Sequence, residues 1–196
     1  MQEKKATSNQ KRTEKTRKQL ISAAKKLFVE KGYGATSTPE LVESAGVTRG
    51  ALYHHFADKK DLFRAVVESD CAAVGAEIER GSEAADNVID MLKSGSSAFV
   101  KAITTKGRVR TILIEGPAVL GQQELLSIED RYTRLSLRRG LEAAREQGAI
   151  KPLAMEPLLE LVSSMLDGAA LKVEAGMDFA EVEPIIHAFI DGLAVE

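Results

Sequence analysis

Between Thr48 and His55 the chain places a threonine, an arginine, a tyrosine and two adjacent histidines, inside the stretch VTRGALYHHFADKKDLF from Val47 to Phe63. Three kinds of chemistry compete for such a set. Metal ligation fails on spacing, because adjacent helical residues diverge by about 100° and His187 is the only other histidine in the chain. General-base catalysis needs a partnered nucleophile, and nothing near the histidines supplies one. A hydrogen-bonding and stacking surface remains. Arg49, Tyr53, His54 and His55 offer donors, an aromatic hydroxyl and imidazoles without a carboxylate among them, which suits the acceptor-rich floor and phosphate walls of a nucleic-acid groove. For His55 the competing reading is a helix-end residue packed against the next helix. Partial protonation of the pair strengthens a phosphate contact, so binding through it is expected to weaken from about pH 6 to about pH 8.

Other reactive candidates are few. Cys71 is the single cysteine, so one chain builds no disulfide framework or thiolate cluster, and a small buried apolar residue is the reading preferred over a nucleophile. Neither GYG at 32–34 nor LKSGSSAF carries the glycine-lysine pair and upstream strand of a phosphate loop. Glu115 is either a buried acid that recognises a cation or an exposed helix-end charge.

The elements that must position the donor set are helices. In TRKQLISAAKKLFVEKGY the apolar residues Leu20, Ile21, Ala24, Leu27 and Phe28 recur as one amphipathic stripe, and Gly32 supplies a left-handed stop. Thr38 followed by Pro39 predicts an N-cap with proline at the first helical position, opening the short helix TPELVES. Ala45-Gly46-Val47 makes a tight turn. Thr48 caps the next helix, RGALYHHF, and Asp58 with Asp61 caps the one after it. Two short helices joined by a glycine-bearing turn, behind a longer helix, describe a helix-turn-helix. On the second of them Arg49, Gly50, Tyr53 and His54 share a sector about 140° wide. Leu52 and Phe56 occupy the neighbouring apolar edge, which must pin so short a helix against Leu41, Val42, Leu27 and Phe28.

Charge follows the same division. Residues 1–65 carry 14 Lys and Arg against 7 Asp and Glu, and the remainder carries 13 against 22, which together give the formal net charge of −2. A basic front on an acidic body is the asymmetry expected when only one part meets a polyanion. The competing reading of Lys4, Lys5, Lys11 and Arg12 is a disordered basic leader that merely solubilises. No run reaches the ~18 uncharged apolar residues of a membrane span, so a cytoplasmic protein without membrane attachment is expected.

Beyond Phe63 the pattern stays helical. One helix runs from Leu62 through Val74 and Ile78 until RGSEAAD breaks it, and a second covers about residues 86–105. RVRTILIE forms a third, stopped by Gly116-Pro117, and residues about 122–147 form a charged fourth. Two final helices carry broad apolar stripes: Leu158, Leu161, Val162 and Met165 in the first, and Val182, Ile185, Ile186, Phe189 and Ile190 in the second. Part of each must serve the core, yet the last helix is apolar across more than one face, which favours a partner surface as well. The fold class is all-α: a three-helix N-terminal domain plus a C-terminal helical bundle, about nine helices in all.

The run from Thr16 to Leu62 resembles the DNA-binding domain of TetR-type transcriptional regulators. The likeness lies in Ala23-Ala24 with Leu27-Phe28, then Gly32-Tyr33, Ala45-Gly46-Val47, Gly50, Leu52-Tyr53, Phe56, Lys59 and Leu62, in that order and spacing. It implies a leader over 1–12, a helix-turn-helix domain over 13–60 and a helical ligand-binding and dimerisation domain over 61–196. It also implies roles for single residues. Thr38 and Thr48 meet phosphates at helix starts, and Arg49 reads bases, guanine being suited to its fork. Gly50 permits close backbone approach, Tyr53, His55 and Lys59 touch phosphate, and His54 points toward bases or backbone. Ala51 departs from the hydroxyl or amide often found at its position and offers a methyl at most.

For the larger domain the resemblance implies an effector pocket lined by residues such as Phe99, Ile103, Ile112, Leu113, Tyr132, Leu135 and Leu166, each of which is equally readable as plain core. The low aromatic content favours a lipid-like or small apolar effector. The last two helices are implied to pair with their copies in a homodimer. The function implied is a ligand-responsive regulator, more often a repressor, that binds a pseudo-palindromic operator and is released by a small molecule. The alternative is a constitutive or architectural DNA-binding protein without an effector, which a bundle lacking a cavity would favour. No cofactor and no enzymatic activity are expected.

Overall fold

The computed structural model describes residues 2–105 and 107–195. Among these the chain forms ten α-helices and one π-helical segment: α1 (Gln2–Lys31), α2 (Thr38–Ala45), α3 (Arg49–His55), α4 (Lys59–Ser82), α5 (Val88–Ile103), the π segment (Val109–Ile114), α6 (Glu115–Leu120), α7 (Gln122–Glu129), α8 (Thr133–Glu146), α9 (Met155–Glu174) and α10 (Phe179–Asp191). The only extended pairing described is an isolated antiparallel bridge between Ile150 and Ala194. No described helix is long and apolar enough to cross a membrane.

The N-terminal unit is closed by local capping chemistry. Gly32, at φ 86°, ends α1 as expected. The left-handed backbone favours glycine, and a side chain there would also displace the tips of Arg110 and Glu115, which approach to 2.5 and 2.7 Å. The start of α2 corrects the expected cap: Ser37, not Thr38, holds it. Glu40, three residues after Ser37, returns its carboxylate to the Ser37 amide at 2.8 Å and closes a reciprocal box that a cap at Thr38 lacks. Thr48 Oγ1 accepts from Ala51 N at 3.2 Å, and Asp58 Oδ1 accepts from Asp61 N at 2.7 Å, both as expected.

The stripe of α1 is buried, with Leu20, Ala24, Leu27 and Phe28 packed beside Leu41, Leu52, Phe56, Leu62 and Phe63. Phe28, Tyr33 and Phe63 form a ring triad, with centroids 5.1–5.7 Å apart, the tilted and edge-on geometry that aromatic quadrupoles favour. In the larger domain α5 lies centrally, packed on α4, α8, α9 and α10.

Three boundaries differ from expectation. Helix α1 begins at Gln2, so residues read as a disordered leader continue the first helix. Gly116-Pro117 does not stop the third helix of the body. The π segment runs on into α6, and the turn comes at Gly121, φ 93°. Pro117 falls in the first turn of α6, at the junction with the wider π segment, and Gly116 lets Thr111 O and Leu125 approach. The charged helix over 122–147 divides into α7 and α8. Arg131 N and Tyr132 N bond to carbonyls only three residues back, Ile128 O and Glu129 O, which tightens the chain into a turn without glycine or proline.

Candidate nucleic-acid interface and effector cavity

Helix α3 has seven residues, too few to persist alone, and its orientation is fixed by Leu52 and Phe56, both buried. The turn before it is set by Gly46, φ 64°, and by the bond from Val47 N to Val42 O at 3.0 Å. With that edge held inward, Arg49, Gly50, Tyr53 and His54 are all exposed. Tyr53 keeps 45% of its surface accessible, and the Arg49 guanidinium lies 5.5 Å from its ring centroid, which orders a flexible cation on a stiff aromatic. No salt bridge engages Arg49 among the described residues, nor Lys11, Arg12, Lys15, Arg17 and Lys18 on α1. These cations keep their charge available to a partner.

The remaining expected contacts are placed as follows. Thr48 is exposed at the start of α3, while Thr38 and Ala51 are half-buried. His55 is half-buried beside His54, ring centroids 5.2 Å apart. Burial lowers its pKa below the ordinary imidazole value, helped by the positive charges of His54 and Arg17. A phosphate against this ring would act in the opposite direction, favouring the imidazolium. Lys59 is turned inward. Its ammonium donates to Tyr33 O and Thr36 O, each at 2.9 Å, and lies 4.2 Å from the Tyr33 ring centroid, so it ties the α1–α2 loop to the start of α4, with one of its three donors left over.

A cavity of about 240 Å³ opens among α4, α5, α7, α8 and α9. Of the residues expected to line a pocket, Phe99 and Leu166 do so. Ile103 and Ile112 are buried in the core, Leu113 and Tyr132 pack against it, and Leu135 is half-buried outside the cavity. The polar members were not anticipated: Ser96, Glu129, Thr133, Arg134, Ser163 and Asp167 all face it. A signal was present in Ser163 and Asp167, two polar residues four apart on a helix whose neighbouring positions Leu159, Val162, Leu166 and Ala170 are buried and apolar.

Residues 20–66 match the family described as "Bacterial regulatory proteins, tetR family", and residues 89–193 match "Tetracyclin repressor-like, C-terminal domain". The chain belongs to the TetR family. The HTH-type transcriptional repressor AcnR of Corynebacterium diphtheriae is 36% identical over 178 residues, 87% of each chain. The HTH-type transcriptional regulator AcrR of Shigella flexneri is 30% identical over 109 residues, a match that spans 55% of this chain and 51% of that protein. A crystal structure of a TetR-family transcriptional regulator from Pectobacterium atrosepticum superposes with a TM-score of 0.74 at 30% identity, covering 94% of this chain and 97% of that one. The all-α fold and the class, a helix-turn-helix transcriptional regulator and not an enzyme, are those of the family.

The TetR-type division of labour also frames α9 and α10. Leu158 and Val162 on α9, with Val182, Ile186 and Ile190 on α10, are buried in the core of the single chain, so they do not belong to an exposed partner face as expected. Met165 is half-buried. Leu161, Ile185 and Phe189 remain outside, 72%, 58% and 62% exposed. Cys71 is fully buried and its thiol pKa is pushed well above the ordinary range, first by desolvation, which makes it a packing residue and not a nucleophile.

Proposed function

We propose that this TetR-family regulator is a ligand-responsive repressor that binds a pseudo-palindromic operator as a homodimer. The observation that carries the DNA contact is the outward face of α3. Leu52 and Phe56 fix the helix, while Arg49, Gly50, Tyr53 and His54 meet no buried partner. Thr48 joins them at the helix start. Gly50 supports the same reading, because a Cβ there would meet only Thr48 Oγ1, at 3.9 Å, and φ is not positive. Nothing inside the fold demands glycine at that position, whereas a duplex approaching the helix does. The cavity supports ligand response over a constitutive DNA-binding protein.

Polar contacts tie the helices around the cavity to the N-terminal unit. The cavity takes its walls from α5 and from Ile78, Glu79 and Ser82 on α4, and α4 begins at Lys59 in the helix-turn-helix. Arg108 joins the end of α5 to α4, donating to Ala102 O at 2.7 Å and to Glu77 Oε1 at 3.0 Å. Buried Asp70 on α4 pairs with Lys25 on α1 and accepts from Thr111 Oγ1 at 3.1 Å. Effector binding acts by favouring one arrangement of these elements over another, with a different separation of the two recognition helices.

The test is selection of fragments from the source genome by the purified protein, with Arg49→Ala in parallel at one salt concentration. The wild type is expected to enrich a short inverted repeat, and the variant to lose roughly 1–3 kcal/mol of discrimination at one base pair of each half-site while remaining folded. Equal selection by both proteins removes Arg49 from the reading. Selection by neither removes α3.

A further inference from the structure

The cavity has walls suited to one ligand class. Ile78, Met91, Leu92, Phe99, Leu137 and Leu166 make most of it apolar. One part is not. Ser96 is only 3% exposed, and its Oγ has no hydrogen-bond partner, as is true of Ser163 Oγ. A buried hydroxyl facing a cavity without a partner is destabilising unless something fills the site. Glu129 and Asp167 face the same space, and neither side chain accepts a hydrogen bond from the described residues. Arg134 is the cation beside them, but its Nε is held by Asp130 at 2.8 Å and its Nη2 by Glu160 at 2.6 Å. Asp130 and Glu160, which stand outside the cavity, thus occupy the Arg134 guanidinium, and Glu129 and Asp167 face the interior without a hydrogen-bonding cation of their own.

Building on the effector reading above, we infer that the cavity binds a small organic cation, a protonated amine on an apolar body about the size of one ring, with its ammonium held by Glu129 and Asp167 and by the free hydroxyls of Ser96 and Ser163. An ammonium offers three donors, which matches acceptors that now lack any. An apolar cavity of about 150 Å³ holds benzene, so about 240 Å³ admits a ring with a short aminomethyl or aminoethyl arm. The titration of the two acids agrees with the geometry. Burial raises Glu129 to about 7, with Asp167 adding to the shift and Arg134 opposing it. Burial likewise raises Asp167 to about 6, again against Arg134. A cation entering beside them shifts both acids further toward their charged form. The exposed charges along the rim, Glu79 and Arg139, stand apart from this pair.

The experiment is calorimetric titration of the full-length protein, without DNA, at about pH 8, where both acids are ionised. The probes are benzylamine, cyclohexylmethylamine and isopentylamine, each with its matched alcohol, plus benzoate and magnesium chloride. At least one amine is expected to bind roughly tenfold or more tightly than its alcohol, and benzoate not at all. In the isosteric double variant Glu129→Gln, Asp167→Asn, confirmed as folded by its melting curve, that preference is expected to disappear. The inference is overturned if no amine outbinds its alcohol, if the double variant keeps the preference, if benzoate binds as well, or if magnesium binds while the amines do not. Release of a selected operator fragment is read separately. An amine that binds and leaves the DNA complex intact defeats the effector reading and keeps the cation site. An alcohol that binds equally and releases DNA does the reverse.

Discussion

Gly50 and Lys59 are both motif residues, and the structure gives them opposite situations. Gly50 stands in open space on α3. Replacing it with alanine removes the entropic cost of a helical glycine and is expected to raise stability by about 0.5–1 kcal/mol, while placing a methyl between the helix backbone and the duplex. Gly50→Ala should therefore melt later and bind the operator more weakly. A variant that is more stable and binds DNA unchanged would show that nothing approaches the backbone there. Lys59 points inward to carbonyls of Tyr33 and Thr36, which lie 26 and 23 residues away in sequence. This explains what the sequence disclosed at this scale. The outward face of α3 follows from helical period alone, so Arg49, Tyr53 and His54 were legible. The direction of Lys59 and the lowered pKa of His55 depend on neighbours from α1 and the loop after it, which no local pattern contains. The polar cavity residues stayed hidden for the same reason, since Glu129, Ser96 and Asp167 sit on three different helices.

At the scale of elements, the boundaries near the N-terminus were readable because caps are local: Gly32, Thr48 and Asp58 with Asp61 each act within four residues. The segment from 109 to 132 was not. Its proline lies at the junction of the π segment and α6, and its real break between α7 and α8 has neither glycine nor proline. That segment is also the mechanical link to the DNA-binding unit. Glu115 Oε2 accepts from Tyr33 N at 3.0 Å, Glu115 Oε1 accepts from Arg110 Nε at 3.2 Å, and Arg110 Nη1 donates to Val29 O at 3.2 Å. Glu115 is thus neither a cation-binding acid in the pocket nor a free helix-end charge; it is a bridge from the π segment to the end of α1. Glu115→Ala leaves the Tyr33 amide and Arg110 Nε without their acceptor and is expected to cost roughly 1–3 kcal/mol. Hydrogen exchange at Tyr33 should accelerate, and effector binding should release DNA less completely because one of the links between the body and the end of α1 is cut. Unchanged exchange at Tyr33 together with full release would show that the bridge does not transmit the signal.

For the whole molecule the decisive surface is the one left by α9 and α10. The apolar stripe of α10 splits into Val182, Ile186 and Ile190 facing inward and Ile185 and Phe189 facing outward. Sequence could not separate the two sets, because adjacent apolar residues point about 100° apart on a helix wide enough to be apolar on both sides. Large exposed apolar side chains on neighbouring helices are costly to leave in water, and the proposed pairing of two copies through α9 and α10 covers them. Because Leu161 and Phe189 contribute little to the single-chain core, Leu161→Glu with Phe189→Glu is expected to leave helix content intact and change monomer stability by no more than about 0.5 kcal/mol per site, while placing like charges across a two-fold axis. Sedimentation should show the wild type as a dimer and the double variant as a monomer. Operator affinity should collapse toward that of a single half-site, because the second recognition helix is no longer held at the spacing of the repeat. Ile186→Glu is the contrasting case: it buries a charge in the core and should unfold the chain before any question of assembly arises. A double variant that sediments with the wild type places the two-fold contact elsewhere on the bundle, and the exposed face of α9 and α10 then needs a different partner.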